Sequence, residues 1–218
     1  MNLLVTAGPT REFVDDVRYL SNLSSGRMGY AVAAAGAAAG HKTVLVSGPT
    51  ALSCPPGVER VEVESAEEMY RAIKDRWEWT EALVMAAAVA DYRPAVRLSG
   101  KIKKGPREAL GLDLVRTRDV LAELGRDKGK RVLVGFALET DGLLAEASRK
   151  LGQKNLDAVV ANSLENLGSE NASGSILLPD GKVERWTNLP KAEFGRRLVA
   201  LVGQLGQRER LTGGGEAQ

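Results

Sequence analysis

The segment that most constrains the fold is Ala82–Val89, an uninterrupted apolar run with the length of a single β-strand. A strand that is apolar on both faces has to be covered on both faces, which is the situation of a central strand in a parallel sheet. The run therefore predicts a parallel sheet with helices packed on each side.

Strand-like and helix-like segments alternate along the rest of the chain, as in βαβ units. The pattern predicts strands at Asn2–Ala7, Thr43–Ser47, Val58–Val63, Arg131–Leu138 and Leu156–Ala161, and helices at Met28–Ala39, Ser65 to about Trp77, Asp119–Gly125, around Lys150 and Lys154, and after Pro190 to about Leu205. Pro179–Gly181 predicts a C-terminal β-hairpin, and short extended segments around Gly105-Pro106 predict a basic flap. We expect an α/β three-layer sandwich formed by residues 1–210, followed by a disordered tail at 211–218.

Composition excludes several classes of function. The 218 residues carry a formal charge of only +2, which gives no general nucleic-acid or membrane footprint. One cysteine, Cys54, and one histidine, His41, provide no disulfide framework and no zinc site of the usual kinds within one chain. Met1 leads directly into a short strand without a cationic leader or a long apolar run, so we expect a cytoplasmic protein that does not span a membrane.

The loop after the first strand resembles an anion site. Ser24, Ser25 and Gly26 open an Ala-rich helix, and the first N–H groups of a helix have no partners within it. Neither the dinucleotide fingerprint nor the P-loop pattern is present in the sequence. The same three residues also suit a simple helix cap, and spacing alone does not separate these alternatives.

Ligands of open α/β sheets bind beyond the carboxyl ends of the strands, which defines a candidate rim. The rim comprises Gly8–Thr10, Ser24–Gly26, Ala88–Asp91, Lys101–Lys104, Phe136–Glu139, the Lys150/Lys154 pair and Asn162. It offers ammonium groups and backbone donors without a Ser-His-Asp or Cys-His arrangement, so its natural ligand is a polyanion such as a nucleoside triphosphate or a phosphorylated metabolite.

Each rim residue also has a structural interpretation. Asp91 and Asn22 suit ordinary turns, Phe136 suits the core, and the lysines suit a solvated surface. Taken singly, these residues do not establish a function.

Several long motifs occur together in one order, and together they resemble phosphopantothenoylcysteine synthetase, the ligase domain of the bacterial coenzyme A biosynthesis flavoprotein family. The motifs are Thr6–Glu12, Val17–Gly29, Ala87–Arg93, Lys101–Lys104, Gly135–Thr140, Lys154–Asp157 and Ala161-Asn162. The resemblance extends from Leu3 to the final helix and implies a Rossmann-like fold.

The resemblance also implies a reaction. The carboxylate of 4'-phosphopantothenate attacks the α-phosphate of CTP, giving an acyl-cytidylate and pyrophosphate, and the amine of L-cysteine then displaces CMP. Mg²⁺ is expected with the triphosphate, held mainly by phosphates and water. Relatives in other lineages use ATP, and Asp91 suits the exocyclic amino group of either base.

The roles implied for individual residues fall into three groups. Asn22 and Lys101 are expected to be catalytic. The nucleotide is expected to contact Met85, Ala86, Ala87, Asp91, Lys101, Val115, Arg116, Thr117, Arg118, Phe136, Lys150 and Lys154. The substrate phosphate is expected to contact Ser24, Ser25, Gly26 and Arg18, the last supplied by the neighbour in a homodimer.

The chain departs from the family pattern at one position. Many relatives have proline where this chain has Arg118, so this side chain is expected either to contact phosphate or to face solvent. Because the chain begins at the ligase strand, we expect a stand-alone ligase or a domain excised from a fusion with a decarboxylase, without FMN.

Two other functions remain as alternatives. An NAD(P)-binding oxidoreductase would need an acidic residue after the second strand, where the sequence has Ser47-Gly48-Pro49. A nucleic-acid binder would need aromatic residues among the basic residues of the flap, and Lys101–Lys104 contains none.

Overall fold

The computed structural model of the chain describes residues 1–103, 109–138, 143–162, 166 and 168–212, which form a series of strands interrupted by five helices. The strands are β1 (Asn2–Ala7), β2 (Arg11–Phe13), β3 (Tyr19–Ser21), β4 (Lys42–Ser47), β5 (Val58–Glu62), β6 (Ala82–Met85), β7 (Tyr92–Pro94), β8 (Leu114–Arg116), β9 (Val132–Leu138), β10 (Ala158–Asn162), β11 (Asn171–Leu177) and β12 (Val183–Pro190). The helices are α1 (Arg27–Ala38), α2 (Ala66–Asp75), α3 (Val120–Arg126), α4 (Leu143–Gln153) and α5 (Lys191–Thr212).

Eight of the strands form one sheet in the order β12-β11-β10-β9-β6-β1-β4-β5. The strands from β10 to β5 in this order run parallel, while β11 and β12 pair antiparallel at one edge. The predicted mainly parallel sheet and C-terminal hairpin are therefore confirmed.

Both faces of the sheet are covered by helices. On one face, Tyr30 of α1 and Leu198 of α5 pack in one apolar cluster with Val84. On the other, Met69 of α2 packs in a second cluster with Leu83. Neighbouring residues of β6 thus lie in different clusters, as the apolar run predicts for a strand buried on both sides.

Local sequence signals account for several element boundaries. Ser65 caps α2 by accepting a hydrogen bond from the Glu68 amide at 3.2 Å, and Asp119 caps α3 by accepting one from Ala122 at 3.1 Å. Side-chain oxygens at these positions satisfy amides that the helix leaves unpaired. Both predicted helix starts are therefore correct to within one residue.

The central strand is shorter than its apolar run, because its regular pairing with β1 ends at Met85. β1 ends at Ala7, and Gly8 adopts a positive φ of 76°. Beyond Met85 the chain is held by other contacts, among them the Ala87 amide donating to Thr6 Oγ1 at 3.1 Å. The prediction that the strand continues to Val89 is therefore wrong: beyond Met85 the run forms a loop in which Ala88 makes an isolated parallel bridge with Pro9.

Two small antiparallel pairs, β2–β3 and β7–β8, stand outside the main sheet. The first was not predicted, because strands of three residues are too short to show a period. The second joins the arms of the predicted flap, while Lys104, Gly105-Pro106 and Glu139-Thr140 lie outside the described residues.

The last helix is longer than predicted, since α5 continues past Leu205 to Thr212. Thr212 belongs to the segment 211–218 that was expected to be a disordered tail, and residues 213–218 lie outside the described part. In the described ranges, no helix combines the length and apolar character needed to cross a membrane.

Candidate functional site

Two adjoining cavities lie beyond the carboxyl ends of β1, β6, β9 and β10, where an open α/β sheet binds ligands. The first cavity, of about 470 Å³, is bounded by Met85, Arg116, Thr117, Lys150 and Lys154 together with residues at the start of α3 and on β9 and β10. The second cavity, of about 640 Å³, is bounded by Asn22, Ser24–Met28, Asn162 and Lys191, among others. Ala87, Val89, Asp91 and Phe136 line both.

The loop that starts α1 forms one wall of the second cavity. Gly26 occupies the N-cap position with a left-handed φ of 75°, and no side chain caps the helix. Ser24 Oγ accepts a hydrogen bond from the Gly26 amide at 3.3 Å, which folds the loop back on itself. With no acidic residue in the first turn, this helix end retains its attraction for an anion.

Asn22 connects two loops at the mouth of the second cavity. Its Nδ2 donates to the carbonyl oxygens of Ala88 at 3.3 Å and Val89 at 3.1 Å. The side chain is exposed, and its Oδ1 accepts no hydrogen bond from the described residues. Asn22 is therefore held in place while it keeps an acceptor available to a ligand.

The wall shared by the two cavities is fixed by backbone contacts. The Asp91 carbonyl accepts a hydrogen bond from the Thr117 amide at 2.9 Å, and Thr117 Oγ1 donates to the Ala90 carbonyl at 2.6 Å. These bonds hold the end of β8 beside the loop after β6, while the Asp91 side chain remains exposed. A ligand in either cavity therefore meets Asp91 in a defined position.

The cations of the first cavity differ in their partners. Lys154 Nζ lies 2.9 Å from Asp119 Oδ1, the oxygen that also caps α3. Lys154 follows the last residue of α4, and its amide donates to the Lys150 carbonyl at 3.0 Å, so the two lysines lie one turn apart. Arg116 forms no ion pair with any described residue, and it adds positive charge to this cavity.

Arg118 is occupied by protein contacts. Its guanidinium lies 2.8 Å from Glu123 and 3.4 Å from Glu67, with the Tyr70 ring centroid 4.3 Å away. The hydrogen bond to Glu123 raises the pKa of Arg118 above its usual value. Because Arg118 also lines the first cavity and remains partly exposed, a contact with phosphate or with solvent stays a prediction.

Two cations that line the second cavity, Lys191 and Arg27, were not among the predicted site residues. Lys191 begins α5 and is 9% exposed, and its Nζ donates to the carbonyl oxygens of Asn166 and Ser169. Burial lowers the pKa of Lys191, and the positive charge of Arg27 lowers it further. Both side chains line the cavity that contains Ser24–Gly26. No spacing in the sequence relates Lys191 to a loop so far away along the chain.

Asn162 belongs to the predicted rim, but no role was assigned to it. It ends β10 and lines the second cavity. Its Oδ1 is buried and has no hydrogen-bond partner among the described residues. A buried polar atom without a partner costs free energy, so this oxygen is available to a ligand donor.

Three predicted site residues line neither cavity. Arg18 pairs with Asp15 at 2.6 Å, Lys101 is exposed on the arm of the flap, and Val115 lies in β8 with 38% of its surface exposed. The remaining residues expected to contact nucleotide or substrate all line one cavity or both.

Comparison with known proteins identifies the family of the chain. Residues 1–205 match the family described as the C-terminal domain of the DNA/pantothenate metabolism flavoprotein. The chain is 44% identical over 188 residues to the coenzyme A biosynthesis bifunctional protein CoaBC of Vibrio parahaemolyticus. The aligned region covers 84% of this chain and 47% of that protein. The chain spans about half the length of the curated relatives it matches.

Solved structures have the same fold. The C-terminal domain of a CoaBC protein superposes with a TM-score of 0.83 at 37% identity, covering 95% of this chain and 96% of that domain. A Cab2 mutant in complex with phosphopantothenate-cysteine superposes with a TM-score of 0.79 at 16% identity, covering 97% and 88%, and shows likeness of fold alone. Because the family match covers nearly the whole chain, the chain belongs to the family of DNA/pantothenate metabolism flavoprotein C-terminal domains.

Proposed function

We propose that the chain is a phosphopantothenate–cysteine ligase that uses CTP. The observation that carries this proposal is the pair of adjoining cavities with a common wall at Asp91 and Phe136. One cavity is lined by Arg116, Lys150 and Lys154 and suits a triphosphate, and the other contains an uncapped helix start that suits a phosphorylated acid. Ligands in both would meet at the shared wall, where the carboxylate and the α-phosphate must react.

The proposed chemistry has two transfers. An oxygen of the phosphopantothenate carboxylate attacks the α-phosphorus of CTP, and the bond to the β-phosphate oxygen breaks to release pyrophosphate. The cysteine amine then attacks the acyl carbon, loses a proton, and expels CMP. No protein nucleophile is required, because alignment and neutralisation of the anionic centre supply the catalysis.

The nucleotide is assigned to the first cavity. Asp91 would accept a hydrogen bond from the exocyclic amino group of the base, and the backbone of Met85–Ala87 would shape the base site. Phe136 would contact the base or ribose, while Lys150 and Lys154 would contact the phosphates. Because adenine also has an exocyclic amino group, ATP is the alternative nucleotide.

The acid substrate is assigned to the second cavity. Ser24–Gly26 would bind its terminal phosphate, with Arg27 and Lys191 adding positive charge at the same cavity. Asn22 would hold the activated acyl group through its amide. Lys101 would reach the reacting phosphate from the flap, and Arg18 would complete the site of a neighbouring subunit.

Magnesium is proposed to accompany the nucleotide and to neutralise its triphosphate charge. Among the described residues, no group of three or more His, Cys, Asp or Glu side chains is placed to hold a metal ion. Asp91 and Asp119 are the carboxylates that line the first cavity, and Asp119 is already paired with Lys154. The ion would therefore be held mainly by phosphate oxygens and water, with few protein ligands.

The proposed partners are a second copy of the chain and, where the chain is part of a fusion, a decarboxylase domain. The two small hairpins expose several large apolar side chains, namely Val17, Tyr19, Tyr92, Val96, Leu98, Leu112 and Leu114. Such a patch is typical of a surface that binds another protein and supports the homodimer. We assign no flavin site to this chain and propose a cytoplasmic location.

A product assay tests the function. Purified chain is incubated with Mg²⁺ and 4'-phosphopantothenate plus CTP or ATP, with and without L-cysteine, and pyrophosphate and nucleotide products are measured. We expect pyrophosphate release that needs phosphopantothenate, and CMP rather than CDP when cysteine is added. Absence of pyrophosphate release with both triphosphates would refute the ligase. Formation of AMP from ATP, with no reaction of CTP, would show that the nucleotide is ATP.

The oxidoreductase alternative is tested in the same preparation. Titration with NADH and NADPH, followed by nicotinamide fluorescence, should show no saturable binding, because β4 ends in Ser47 and continues with Gly48-Pro49 instead of an acid. Saturable binding would favour the oxidoreductase.

A further inference from the structure

Asp15 lies in the turn between β2 and β3, and its carboxylate is fully enclosed by four donors. Oδ1 accepts hydrogen bonds from the amides of Val17 and Arg18, each at 2.8 Å. Oδ2 accepts from the Ile102 amide at 3.0 Å and from Arg18 Nη1 at 2.6 Å. The side chain has no exposed surface, and the Ile102 hydrogen bond leads the contacts that lower its pKa to about 2.

The two oxygens of this carboxylate therefore serve different segments. Oδ1 closes the local turn, as Asp side chains commonly do. Oδ2 joins the turn to Ile102, a residue 87 positions away along the chain on the arm of the flap. A carboxylate that only formed a turn would need no such distant partner.

The flap arm is attached to the hairpin turn at further points. The Leu98 amide donates to the Val14 carbonyl at 2.9 Å, and the Gly100 amide donates to Asp16 Oδ2 at 2.7 Å. Lys101 lies between Gly100 and Ile102, which are both bound to this turn. The position of the Lys101 backbone is thus set by Asp15 and Asp16.

We propose that Asp15 is a positioning residue that holds the Lys101 arm and the Arg18 guanidinium in a fixed relation through its two oxygens. This inference rests on the proposed function, which assigns Lys101 and Arg18 to the reacting groups. Asp15 itself lines neither cavity and touches no reacting atom. Its effect on turnover is exerted through those two cations.

The substitution Asp15→Asn separates the two tasks of the carboxylate. The asparagine has one carbonyl oxygen, which can accept either from the two turn amides or from Ile102 and Arg18 Nη1. Its NH₂ group then faces the other two donors and cannot accept from them. Because an Asn whose oxygen stays in the turn faces Ile102 and Arg18 with its NH₂ group, the Ile102 amide loses its acceptor while the turn and the attachments at Leu98 and Gly100 are kept. The size of the side chain does not change.

Glu12→Gln is the matched control. Glu12 lies on β2 of the same hairpin, is 5% exposed, and accepts a hydrogen bond from the Ala66 amide at 2.8 Å. It joins the hairpin to α2, and none of the hydrogen bonds of its side chain among the described residues goes to the flap arm. Its substitution removes a buried carboxylate from the same structural unit without releasing Ile102.

The experiment measures hydrogen exchange of the 98–103 segment and steady-state kinetics of pyrophosphate release. For Asp15→Asn we expect Ile102 to exchange about tenfold faster, and kcat to fall about tenfold, the size of effect given by losing hydrogen bonds to a charged group. Glu12→Gln should leave the exchange rate of Ile102 and kcat unchanged when equal amounts of folded protein are compared. Combining Asp15→Asn with Lys101→Met should add little to the loss caused by Lys101→Met alone.

Unchanged exchange at Ile102, equal losses of kcat in the two carboxylate variants, or additive losses in the double variant would each overturn the inference. If Asp15→Asn does not fold, Asp16→Asn replaces it. Asp16 is half-exposed, and of the two amides that flank Lys101 it binds only that of Gly100. Faster exchange at Gly100 with reduced kcat is then expected, and unchanged values would overturn the inference. If wild-type chain releases no pyrophosphate, the proposed function fails, whereas the exchange result still reports on the attachment of the arm.

Discussion

Substituting Gly26 by alanine tests how the anion loop is held. Gly26 has a φ of 75°, where alanine is strained, and a Cβ added there would lie 2.7 Å from Thr50 Cγ2. Thr50 follows β4 and is fixed in turn, because its Oγ1 donates to the Tyr30 hydroxyl at 3.1 Å. The new methyl group therefore meets a side chain that has little freedom to withdraw.

The expected cost has two parts. A left-handed backbone costs a residue with a Cβ about 1–2 kcal/mol. Overpacking against Thr50 adds about 1–3 kcal/mol. We expect Gly26→Ala to lower the free energy of unfolding by about 2–5 kcal/mol and to raise the KM for phosphopantothenate, since the loop must shift.

Gly40→Ala is the control for the backbone part. Gly40 has a φ of 78°, and a Cβ there would meet nothing within 4 Å. Urea unfolding of this variant should show a loss of about 1 kcal/mol. Thr50→Ser removes the methyl group that clashes but keeps the hydroxyl, so adding it to Gly26→Ala should recover roughly 1–2 kcal/mol relative to additive effects.

Equal destabilisation by Gly26→Ala and Gly40→Ala would refute the packing argument, because only the shared backbone cost would then remain. Additive effects of Gly26→Ala and Thr50→Ser would refute it independently. A large loss of stability with an unchanged KM for phosphopantothenate would instead separate this loop from substrate binding.

Three further predictions concern single side chains. Asn22→Asp should lower kcat for pyrophosphate release at least tenfold while leaving the melting temperature within a few degrees, since Asn22 is exposed; unfolding of the variant would contradict its functional role. Arg27→Ala should raise the KM for phosphopantothenate about tenfold and leave the KM for CTP unchanged, because Arg27 lines only the second cavity of the two; equal changes in both would contradict that assignment. The pKa of Asp15 is about 2 in the folded chain and 3.8 as its reference, so its stabilisation is present above pH 4 and lost as the pH falls toward 2; urea unfolding of wild type and Asp15→Asn should converge over that range, and a constant difference would contradict it.

The fold was largely predictable because its signals are local. The caps at Ser65 and Asp119 and the turn at Pro179–Gly181 each act within a few residues, and the structure contains them where the sequence indicates. The end of β6 was not predictable in this way. It coincides with the positive φ of Gly8, after which only an isolated bridge between Pro9 and Ala88 continues the pairing, and no property of the Ala82–Val89 run reveals this interruption.

The residues of the candidate site likewise divide into those that local sequence signals predict and those that only tertiary packing places. Asn22, Asp91 and Ser24–Gly26 follow strands or open a helix, so the carboxyl-end rule already placed them on one rim, and the resemblance gave them roles. Lys191 follows the C-terminal hairpin and reaches the second cavity only because α5 packs beside α1. Its position is a product of tertiary packing, which a rule about strand ends does not include.

Asp15 shows why motif reasoning passes over residues of this kind. It lies within the region of the recognised motifs, between Thr6–Glu12 and Val17–Gly29, but it belongs to neither. Its importance comes from Ile102, whose amide it binds across 87 positions of sequence. Lys101 and Arg18 were each predicted to act but line neither cavity. The Asp15 carboxylate joins the Arg18 side chain to the arm that carries Lys101, beside a direct hydrogen bond from Arg18 to the Ile102 carbonyl at 3.4 Å. A cation on a flap is useful to a reaction only when its approach is restricted, because orientation supplies much of the catalytic effect. The residues that restrict it therefore deserve the same experimental scrutiny as the cations themselves.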